Sequence, residues 1–246
     1  MKKQAQKRFE NVLGGDEYDL LKQAIPHYDE LQARIAHAVS DHFPWIDRHH
    51  QKEIKVLEIG PGSGITTKAL LKCDPRVIVT AVDNGTKMSK TFKKNIRAWG
   101  YSKRVKFIKA DINSEIRESA SESFDVVASA WVIHNFERSL RPKLIAEIWR
   151  VLKPNGIFVN GDKLAQDDMD KRAEAYKRQI KLCDVFDRMG RPDIKKEWLE
   201  HYLVDEQPHI VYVESEAVSH LIKACFVPAI AYRQMMEAVL IGYKAP

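Results

Sequence analysis

Three glycines stand close together in the stretch VLEIGPGSGITTKALL, residues 56–71. Gly60, Gly62 and Gly64 lie between an apolar run, which predicts a strand, and a run with helical periodicity. Glycine tolerates positive φ and lets a ligand approach the backbone, and the N-terminus of the following helix attracts an anion. The stretch therefore predicts a loop that cradles a nucleotide-like ligand.

The spacing of these glycines argues against two common nucleotide sites. A dinucleotide loop normally reads GxGxxG, whereas this loop reads GxGxG and has Ile65 where the third glycine would stand. A phosphate-binding P-loop would read GxxxxGK followed by Ser or Thr, and the sequence has no such match. The pattern disfavours NAD or FAD and, still more, nucleoside triphosphate hydrolysis.

The glycine loop belongs to a longer alternation of strand-like and helix-like runs. The strand-like runs are IKVLEI, VIVTAVD, VKFIKA, FDVVASA and GIFVNGD, and the amphipathic runs lie at 64–72, at 86–98, after Asp111 and at 138–151. This rhythm predicts a doubly wound parallel sheet with helices on both faces. After a helix at 215–224, VPAIAYRQ and EAVLIGYKA predict an antiparallel hairpin that closes the sheet.

Two segments do not follow this alternation. Residues 16–50 carry apolar side chains at helical spacing, interrupted by Pro26, and predict two helices within an N-terminal cap that covers residues 1–50. Residues 164–214 are charge-rich and predict a helical insertion, or lid, over the ligand edge of the sheet. The expected core domain is then formed by 51–163 and 215–246.

Composition excludes several classes of function. The chain has 246 residues, a formal net charge of +6 and three cysteines without metal-ligand spacing, so no metal site is expected. Acidic residues interleave with the basic ones, so we do not expect nucleic-acid binding. The sequence shows no secretory signal and no membrane span, and we expect a cytoplasmic protein, with a homodimer as a further possibility.

Several stretches together resemble the class I S-adenosylmethionine-dependent methyltransferases. LEIGPGSG resembles the first motif of that family, and VIVTAVD, KADI, FDVVASAWVIHNF and VLKPNGIFV resemble later motifs, in order, through residues 54–162. The resemblance implies a Rossmann-like, mostly parallel seven-stranded sheet with an antiparallel last strand, N-terminal helices and a helical insertion after strand five. It also implies S-adenosyl-L-methionine as cofactor and a small-molecule methyl acceptor.

The resemblance also implies which residues bind the cofactor. The glycines face the methionine end, Glu58 attracts its ammonium group, and Asp83 accepts hydrogen bonds from the ribose hydroxyls. Asp111 and Ile112 hold the adenine through a carboxylate and a backbone N–H. The remaining expected cofactor contacts are Tyr28, Asn84, Ala130 and Trp131. As alternatives, Asp83 and Asp111 would cap helices, and Trp131 would fill the core.

His134 is the candidate catalytic residue because only three residues separate it from the expected end of strand four. Its imidazole would serve as the general base for a hydroxyl or amine acceptor. The alternative role is structural, with the ring bonded to the loop backbone or shaping the pocket. Asp162 and Lys163, at the end of strand five, are expected at the same edge of the sheet.

The outer parts of the chain allow other functions. IPHYDEL and NGDKLAQDD resemble the carboxy-S-adenosylmethionine synthases, which act on prephenate in tRNA wobble-uridine modification and hold the added carboxylate with an arginine. This chain has Lys195 and Lys196 there, with Arg191 out of position. A non-catalytic S-adenosylmethionine-binding protein is a further alternative. Five lid residues are expected either in the acceptor pocket or in the lid core: Tyr176, Phe186, Trp198, His201 and Tyr202.

Overall fold

The apolar runs of the sequence form the strands of a single sheet. The computed structural model describes residues 15–43 and 53–246. In these residues the sheet has seven strands, in the order β3-β2-β1-β4-β5-β7-β6. The strands are β1 (Ile54–Ile59), β2 (Val77–Asp83), β3 (Val105–Lys109), β4 (Phe124–Ala130), β5 (Leu152–Lys163), β6 (Phe226–Gln234) and β7 (Glu237–Lys244).

Strand pairing confirms the expected Rossmann-like fold. Neighbouring strands from β3 to β5 pair in parallel, whereas β7 is antiparallel to both β5 and β6. The predicted terminal hairpin therefore forms, with its second strand inserted beside β5. Because the connections leave β1 and β4 in opposite directions, a crevice opens between the carboxyl ends of these two strands, where ligands bind in such sheets.

Helices cover both faces of the sheet. They are α1 (Tyr28–His42), α2 (Ile65–Cys73), α3 (Thr86–Ala98), α4 (Ile112–Glu118), α5 (Arg141–Val151) and, after the insertion, α9 (Glu214–Lys223). Alternate residues of β1 enter opposite layers: Leu57 and Ile59 pack with α5 and α9, and Ile54 and Val56 pack with α1, α2 and α3. The period-2 pattern of the strand thus builds two apolar cores.

The N-terminal segment differs from the two expected helices. A 3-10 segment covers Gly15–Gln23, and α1 begins at Tyr28, just after Pro26. Since proline cannot donate the backbone hydrogen bond that would continue a helix, the two elements stay separate. The rest of the predicted cap, residues 1–14 and 44–50, lies outside the described residues, and the proposed domain boundaries stay predictions.

The insertion is helical, as expected, and packs on the N-terminal segment. It contains α6 (Met169–Leu182), α7 (Asp184–Arg188) and α8 (Pro192–Asp205). Leu21 and Ile25 share an apolar cluster with Phe186, Ile194 and Trp198 of the insertion. Within the described residues, no helix has the length and apolar character that a membrane span requires.

Candidate active site

The glycine loop lies at the crevice between β1 and β4. Gly60, Gly62 and Gly64 all have positive φ, at 64°, 57° and 94°, and α2 begins directly after them. A Cβ on Gly60 would stand 2.5 Å from the Val132 side chain, in the loop after β4. The first glycine is therefore required both by its backbone conformation and by this close contact.

Asp83 is held beside the glycine loop by backbone donors. Its Oδ2 accepts from the Gly62 N–H at 3.3 Å, and its Oδ1 accepts from the Gly85 N–H at 2.7 Å. Burial raises the pKa of this carboxyl, and the backbone hydrogen bonds oppose that rise. The N-cap of α3 is Gly85, without a side-chain cap, so the alternative role of Asp83 as that cap does not hold. Asn84 is half-buried next to it.

Glu58 is a buried carboxyl with one unused oxygen. Its Oε2 accepts from the Thr67 hydroxyl at 2.5 Å, whereas Oε1 is buried and has no hydrogen-bond partner in the described part of the chain. Burial raises the pKa of Glu58 to about 8, and the charge of Asp83 adds to that rise. An orphaned carboxylate oxygen at this place fits a cationic group of a ligand.

Asp111 follows β3 and caps α4. Its side chain accepts from the Ser114 N–H at 3.2 Å, and the residue is exposed. The capping alternative is therefore present in the structure, while the second carboxylate oxygen remains available to a ligand. Ile112 is the first residue of α4, next to this carboxylate.

Tyr28 and Trp131 meet across the crevice. Their rings stack with centroids 4.9 Å apart and planes inclined by 11°. Trp131 follows Ala130, the last residue of β4, and has a positive φ of 52°. The stack joins the N-terminal helix to the loop after β4, so the expected aromatic residues lie together at the mouth of the crevice.

The N-terminal 3-10 segment contacts the glycine loop through Asp19, which sequence reasoning missed. Its Oδ1 accepts from the Ser63 hydroxyl at 2.6 Å. The carbonyl of Ser63 in turn accepts from the Asn95 side chain at 2.9 Å. The glycine loop is thus fixed from both sides. No local pattern marks an aspartate that acts across 44 residues.

A pocket lies under the insertion, beside the loop after β4. Its apolar lining consists of Leu21, Ile25, Trp131, Trp198, Tyr202 and Met236, and its polar lining of His134, Asn135, Lys163, His201, Asp205 and Glu237. Of the five lid residues expected either here or in the lid core, Trp198, His201 and Tyr202 line the pocket. Phe186 is buried in the lid core, and Tyr176 packs against that core.

Asp162 orients His134 in this pocket. His134 Nδ1 lies 2.5 Å from Asp162 Oδ1, and the His134 backbone N–H donates to Asp162 Oδ2 at 3.0 Å. Asp162 is fully buried at the end of β5. The Nδ1 contact fixes one side of the ring and the other bond fixes the backbone, so Nε2 is directed toward the pocket, where Asp205 Oδ2 lies 3.9 Å away.

Asp205, at the end of α8, is the centre of a charged cluster that sequence reasoning did not find. Its Oδ2 lies 3.4 Å from His201 Nε2 and 3.3 Å from Lys163 Nζ. Burial alone would raise the pKa of this carboxyl, but His201, Lys163 and His134 outweigh burial, and the pKa lies below its usual value. The only sequence signal is the i,i+4 spacing of His201 and Asp205 on a helix.

Arg141 ties the loop after β4 to the end of the insertion. The side chain is fully buried and donates to the carbonyls of His134 at 2.8 Å and Val211 at 3.1 Å, and also to that of Ile210. The guanidinium also lies over the Tyr212 ring, 4.3 Å from its centroid. This residue positions the backbone of His134, and sequence reasoning missed it.

The basic residues of the lid lie outside the pocket lining. Arg191 pairs with Asp193 and Glu17, and Lys195 is bound to two aspartates of the lid. Among the described residues that line the pocket, Lys163 is the only Lys or Arg. The arginine that the carboxy-S-adenosylmethionine synthases use for the added carboxylate therefore has no counterpart in this lining.

Comparisons with known proteins agree with this geometry. A family model described as a methyltransferase domain matches residues 57–160. The malonyl-(acyl-carrier protein) O-methyltransferase of Halalkalibacterium halodurans is 28% identical over 174 residues, which are 69% of this chain and 62% of the relative. The carboxy-S-adenosyl-L-methionine synthase of Nautilia profundicola is 29% identical over 235 residues, which are 92% of this chain and 89% of the relative.

Solved structures share the fold at low sequence identity. An O-methyltransferase family protein from Burkholderia thailandensis superposes with a TM-score of 0.67 at 14% identity, over 97% of this chain and 62% of the other. A putative S-adenosyl-L-methionine-dependent methyltransferase from Methanococcus maripaludis gives a TM-score of 0.59 at 17% identity, over 93% of this chain and 90% of the other.

The chain spans less than two thirds of the length of the first curated relatives, 62% and 63%. The part matched by the methyltransferase-domain family model contains the glycine loop, Asp83 at the end of β2, Asp111 after β3, and the loop after β4. Motif order, sheet topology and the match of the methyltransferase domain all agree. Residues 57–160 match a methyltransferase domain, and the motif order and the sheet topology support a class I S-adenosylmethionine-dependent methyltransferase.

Proposed function

We propose that this chain is an enzyme that transfers the methyl group of S-adenosylmethionine to a small-molecule acceptor and leaves S-adenosylhomocysteine. The observation that carries the proposal is the buried Oε1 of Glu58 beside the glycine loop, which has no hydrogen-bond partner among the described residues. A buried carboxylate oxygen without a partner is costly, and the ammonium group of the cofactor's methionine end would supply that partner.

The expected cofactor contacts follow from the same arrangement. The glycine loop faces the methionine end beside Glu58. Asp83 accepts hydrogen bonds from the ribose hydroxyls. The adenine lies against Asp111 and Ile112. Asn84, Ala130, Trp131 and Tyr28 complete the set at the mouth of the crevice. This placement directs the sulfonium methyl group toward the loop that ends in His134, and thus toward the pocket under the lid.

We propose His134 as the catalytic residue for the acceptor's proton. Methyl transfer from a sulfonium is an in-line displacement, so alignment and exclusion of water supply much of the acceleration. A hydroxyl or protonated amine must also lose a proton, and Nε2 of His134 faces the pocket because Asp162 holds Nδ1. The aromatic lining of the pocket fits an acceptor with an apolar body.

Equilibrium titration with S-adenosylhomocysteine tests the cofactor part of this proposal. We expect saturable one-to-one binding and a rise in the unfolding temperature, with much weaker binding of NADH. Glu58→Ala should weaken the binding. Glu237→Ala is the matched control, because it removes a buried carboxyl from the pocket under the insertion and should leave the binding unchanged. Absence of heat and of a thermal shift at millimolar ligand would contradict the proposal.

A screen with tritiated S-adenosylmethionine tests the acceptor part. Small-metabolite pools and tRNA are offered separately, and we expect label in the metabolite fraction alone. Once an acceptor is found, His134→Gln should lower turnover by about 100-fold or more and leave S-adenosylhomocysteine affinity unchanged. Equal turnover in the variant would contradict the role of His134, and no labelled product in any pool would favour a non-catalytic binding protein.

A carboxy-S-adenosylmethionine synthase is the second candidate, because the Nautilia profundicola relative matches 92% of this chain. Mass spectrometry of the cofactor after incubation with prephenate distinguishes the two functions. A carboxylated cofactor would establish the second candidate, and we expect none because Lys163 is the only Lys or Arg of the described lining. A cytoplasmic location, a homodimer and the absence of nucleic-acid binding stay predictions.

A further inference from the structure

Three side chains of types that can bind a metal ion lie close together at the polar end of the pocket. His134, His201 and Asp205 are buried, and one ligand atom of each lies within 4.8 Å of the other two. His201 Nε2 is 3.4 Å and His134 Nε2 is 3.9 Å from Asp205 Oδ2. With metal–ligand distances of about 2.0–2.1 Å, the ligand atoms of a tetrahedral zinc site lie about 3.3 Å apart. Small side-chain rotations would therefore close the site.

We propose that His134, His201 and Asp205 bind a divalent transition-metal ion of the zinc type, with the remaining coordination position open to the pocket. Two imidazoles and a carboxylate are a ligand set that such ions accept, and three protein ligands with one open position are typical of catalytic sites. The inference departs from the expectation of no metal, which rested on the spacing of the cysteines and not on histidines that the fold brings together.

Two observations besides the cluster itself support the ion. Asp205 Oδ1 is buried and has no hydrogen-bond partner among the residues that the structure describes. Asp162 holds His134 through Nδ1 at 2.5 Å, which leaves Nε2 as the atom directed to the ion. A carboxylate on the far nitrogen of a ligating histidine is the usual outer-shell partner of a metal site.

Lys163 is the competing cation at this cluster. Its Nζ lies 3.3 Å from Asp205 Oδ2 and 3.2 Å from Glu206 Oε1. The positive charge holds Asp205 ionised but also repels a metal ion. Lys163→Met should therefore tighten metal binding, an outcome that a purely structural ion pair does not produce. Glu206 keeps Arg172 as partner, at 2.8 Å, in that variant.

The inference deepens the proposed function and rests on it for the position of the acceptor. An acceptor hydroxyl that coordinates the ion loses its proton to solvent more readily, because the ion stabilises the oxyanion. The oxygen then forms a bond to the methyl carbon, the carbon–sulfur bond breaks, and its electron pair stays on sulfur as S-adenosylhomocysteine forms. In the loaded protein His134 is a ligand, and in the metal-free protein it is the base.

Titration of the untagged full chain with Co²⁺ and then Zn²⁺ tests the site without cofactor or acceptor. Every sample, including the reference protein, carries His49→Ala and His50→Ala, because two adjacent histidines would bind metal on their own. We expect one Co²⁺ per chain, a tetrahedral visible spectrum, and displacement by Zn²⁺. Because neither methyl donor nor acceptor is present, failure here leaves the methyltransferase proposal to its own tests.

Four variants separate this site from adventitious binding. His201→Ala and Asp205→Ala should weaken Co²⁺ binding by about 100-fold or more, and Asp162→Asn by about tenfold. His220→Ala should bind as the reference protein does, since His220 forms an equivalent i,i+4 pair with Glu216 on α9, at 3.7 Å, outside the pocket. Circular dichroism and S-adenosylhomocysteine affinity check that each variant is folded.

The outcomes are decisive in both directions. A tetrahedral spectrum that is lost in His201→Ala and Asp205→Ala and strengthened in Lys163→Met supports the site. Three outcomes would overturn it: no Co²⁺ bound to the reference protein, binding that persists in both ligand variants, or weaker binding in Lys163→Met with the fold intact.

Discussion

The two ends of the crevice are built in different ways. At the end that we propose for the cofactor, called the cofactor end, backbone groups of the glycine loop lie beside Asp83, the last residue of β2, and Asp111 follows β3. At the end that we propose for the acceptor, called the acceptor end, side chains from α8, β5 and the loop after β4 converge on Asp205. The residues proposed for the cofactor from Glu58 to Ile112 lie on consecutive strand–loop–helix units, whereas His134, Lys163 and Asp205 come from three elements that are distant in sequence. The two ends therefore have different structural sources.

The largest effect that would sharpen this comparison is expected at Arg141. Arg141→Met removes the buried donors of three carbonyls, and leaving buried carbonyls unpaired should cost about 3 kcal/mol of unfolding free energy or more. Urea denaturation measures this loss. Arg138→Met is the matched control, since that side chain is 55% exposed and should change stability by about 0.5 kcal/mol or less.

The same variant tests whether the two ends are separable. If they are, folded Arg141→Met protein should bind S-adenosylhomocysteine within about threefold of the original affinity, because the lost bonds all lie on the acceptor side. An affinity loss as large as the loss of stability would show that both ends form one unit and would break the comparison.

The second effect concerns the backbone of the cofactor end. Gly60→Ala should weaken S-adenosylhomocysteine binding by about 100-fold, because the new Cβ meets Val132 at 2.5 Å and the loop must move. Gly100→Ala is the matched control: φ is also positive, at 78°, but no atom lies within 4 Å of the new Cβ. Calorimetric titration measures both. Equal losses in the two variants would assign the effect to φ strain alone.

The third effect is a pH dependence that Glu58 gives to the cofactor end. Its pKa is about 8 in the folded protein against an ordinary 4.5, so the folded state without cofactor holds an extra proton between these values. The free energy of unfolding should therefore fall as pH rises through that window. Since an ammonium group favours the ionised carboxylate, S-adenosylhomocysteine affinity should rise with pH toward 8, by up to about tenfold per pH unit.

A matched pair of variants assigns this pH dependence. Glu58→Gln should remove the pH slope of S-adenosylhomocysteine affinity. Glu237→Gln should keep the slope, although burial raises the pKa of Glu237 to about 7, because this carboxyl belongs to the acceptor pocket. A slope that vanishes in Glu237→Gln would place both carboxyls in one site. Titrations in buffers of different protonation enthalpy count the protons released on binding.

The smallest effect is expected at Asp19. Asp19→Asn weakens one charge-assisted hydrogen bond to the Ser63 hydroxyl, so the affinity for S-adenosylhomocysteine should fall by about threefold. Asp29→Asn, on the exposed side of α1, should leave the affinity unchanged. Stopped-flow release of the ligand is the measurement. An unchanged release rate in Asp19→Asn would mean that the hydrogen bond from Ser63 to Asp19 does not stabilise the glycine loop around the ligand.

The sequence predicts the strands and the cofactor end of the crevice better than it predicts the acceptor end. The spacing of apolar residues predicts β1, β2 and β4 to the residue, and α5 begins at Arg141 instead of 138 because Pro142 favours the first turn of a helix. The role of Glu58 is predictable because a buried carboxylate in an apolar strand is costly unless it has a binding partner. The bond of Asp19 to Ser63 and the contacts of Asp205 with His134 and Lys163 are not predictable, because these partners lie far along the chain and no local pattern encodes such a contact.

The bonds of Arg141 have a consequence for engineering. Its partners across the fold are the backbone carbonyls of Ile210 and Val211, and every residue type carries a carbonyl. The side chains at these positions are therefore free to differ without loss of the bonds. A lid taken from another methyltransferase should join this framework wherever its returning segment passes the guanidinium at the same distance, which makes Arg141 a graft point for changing acceptor specificity.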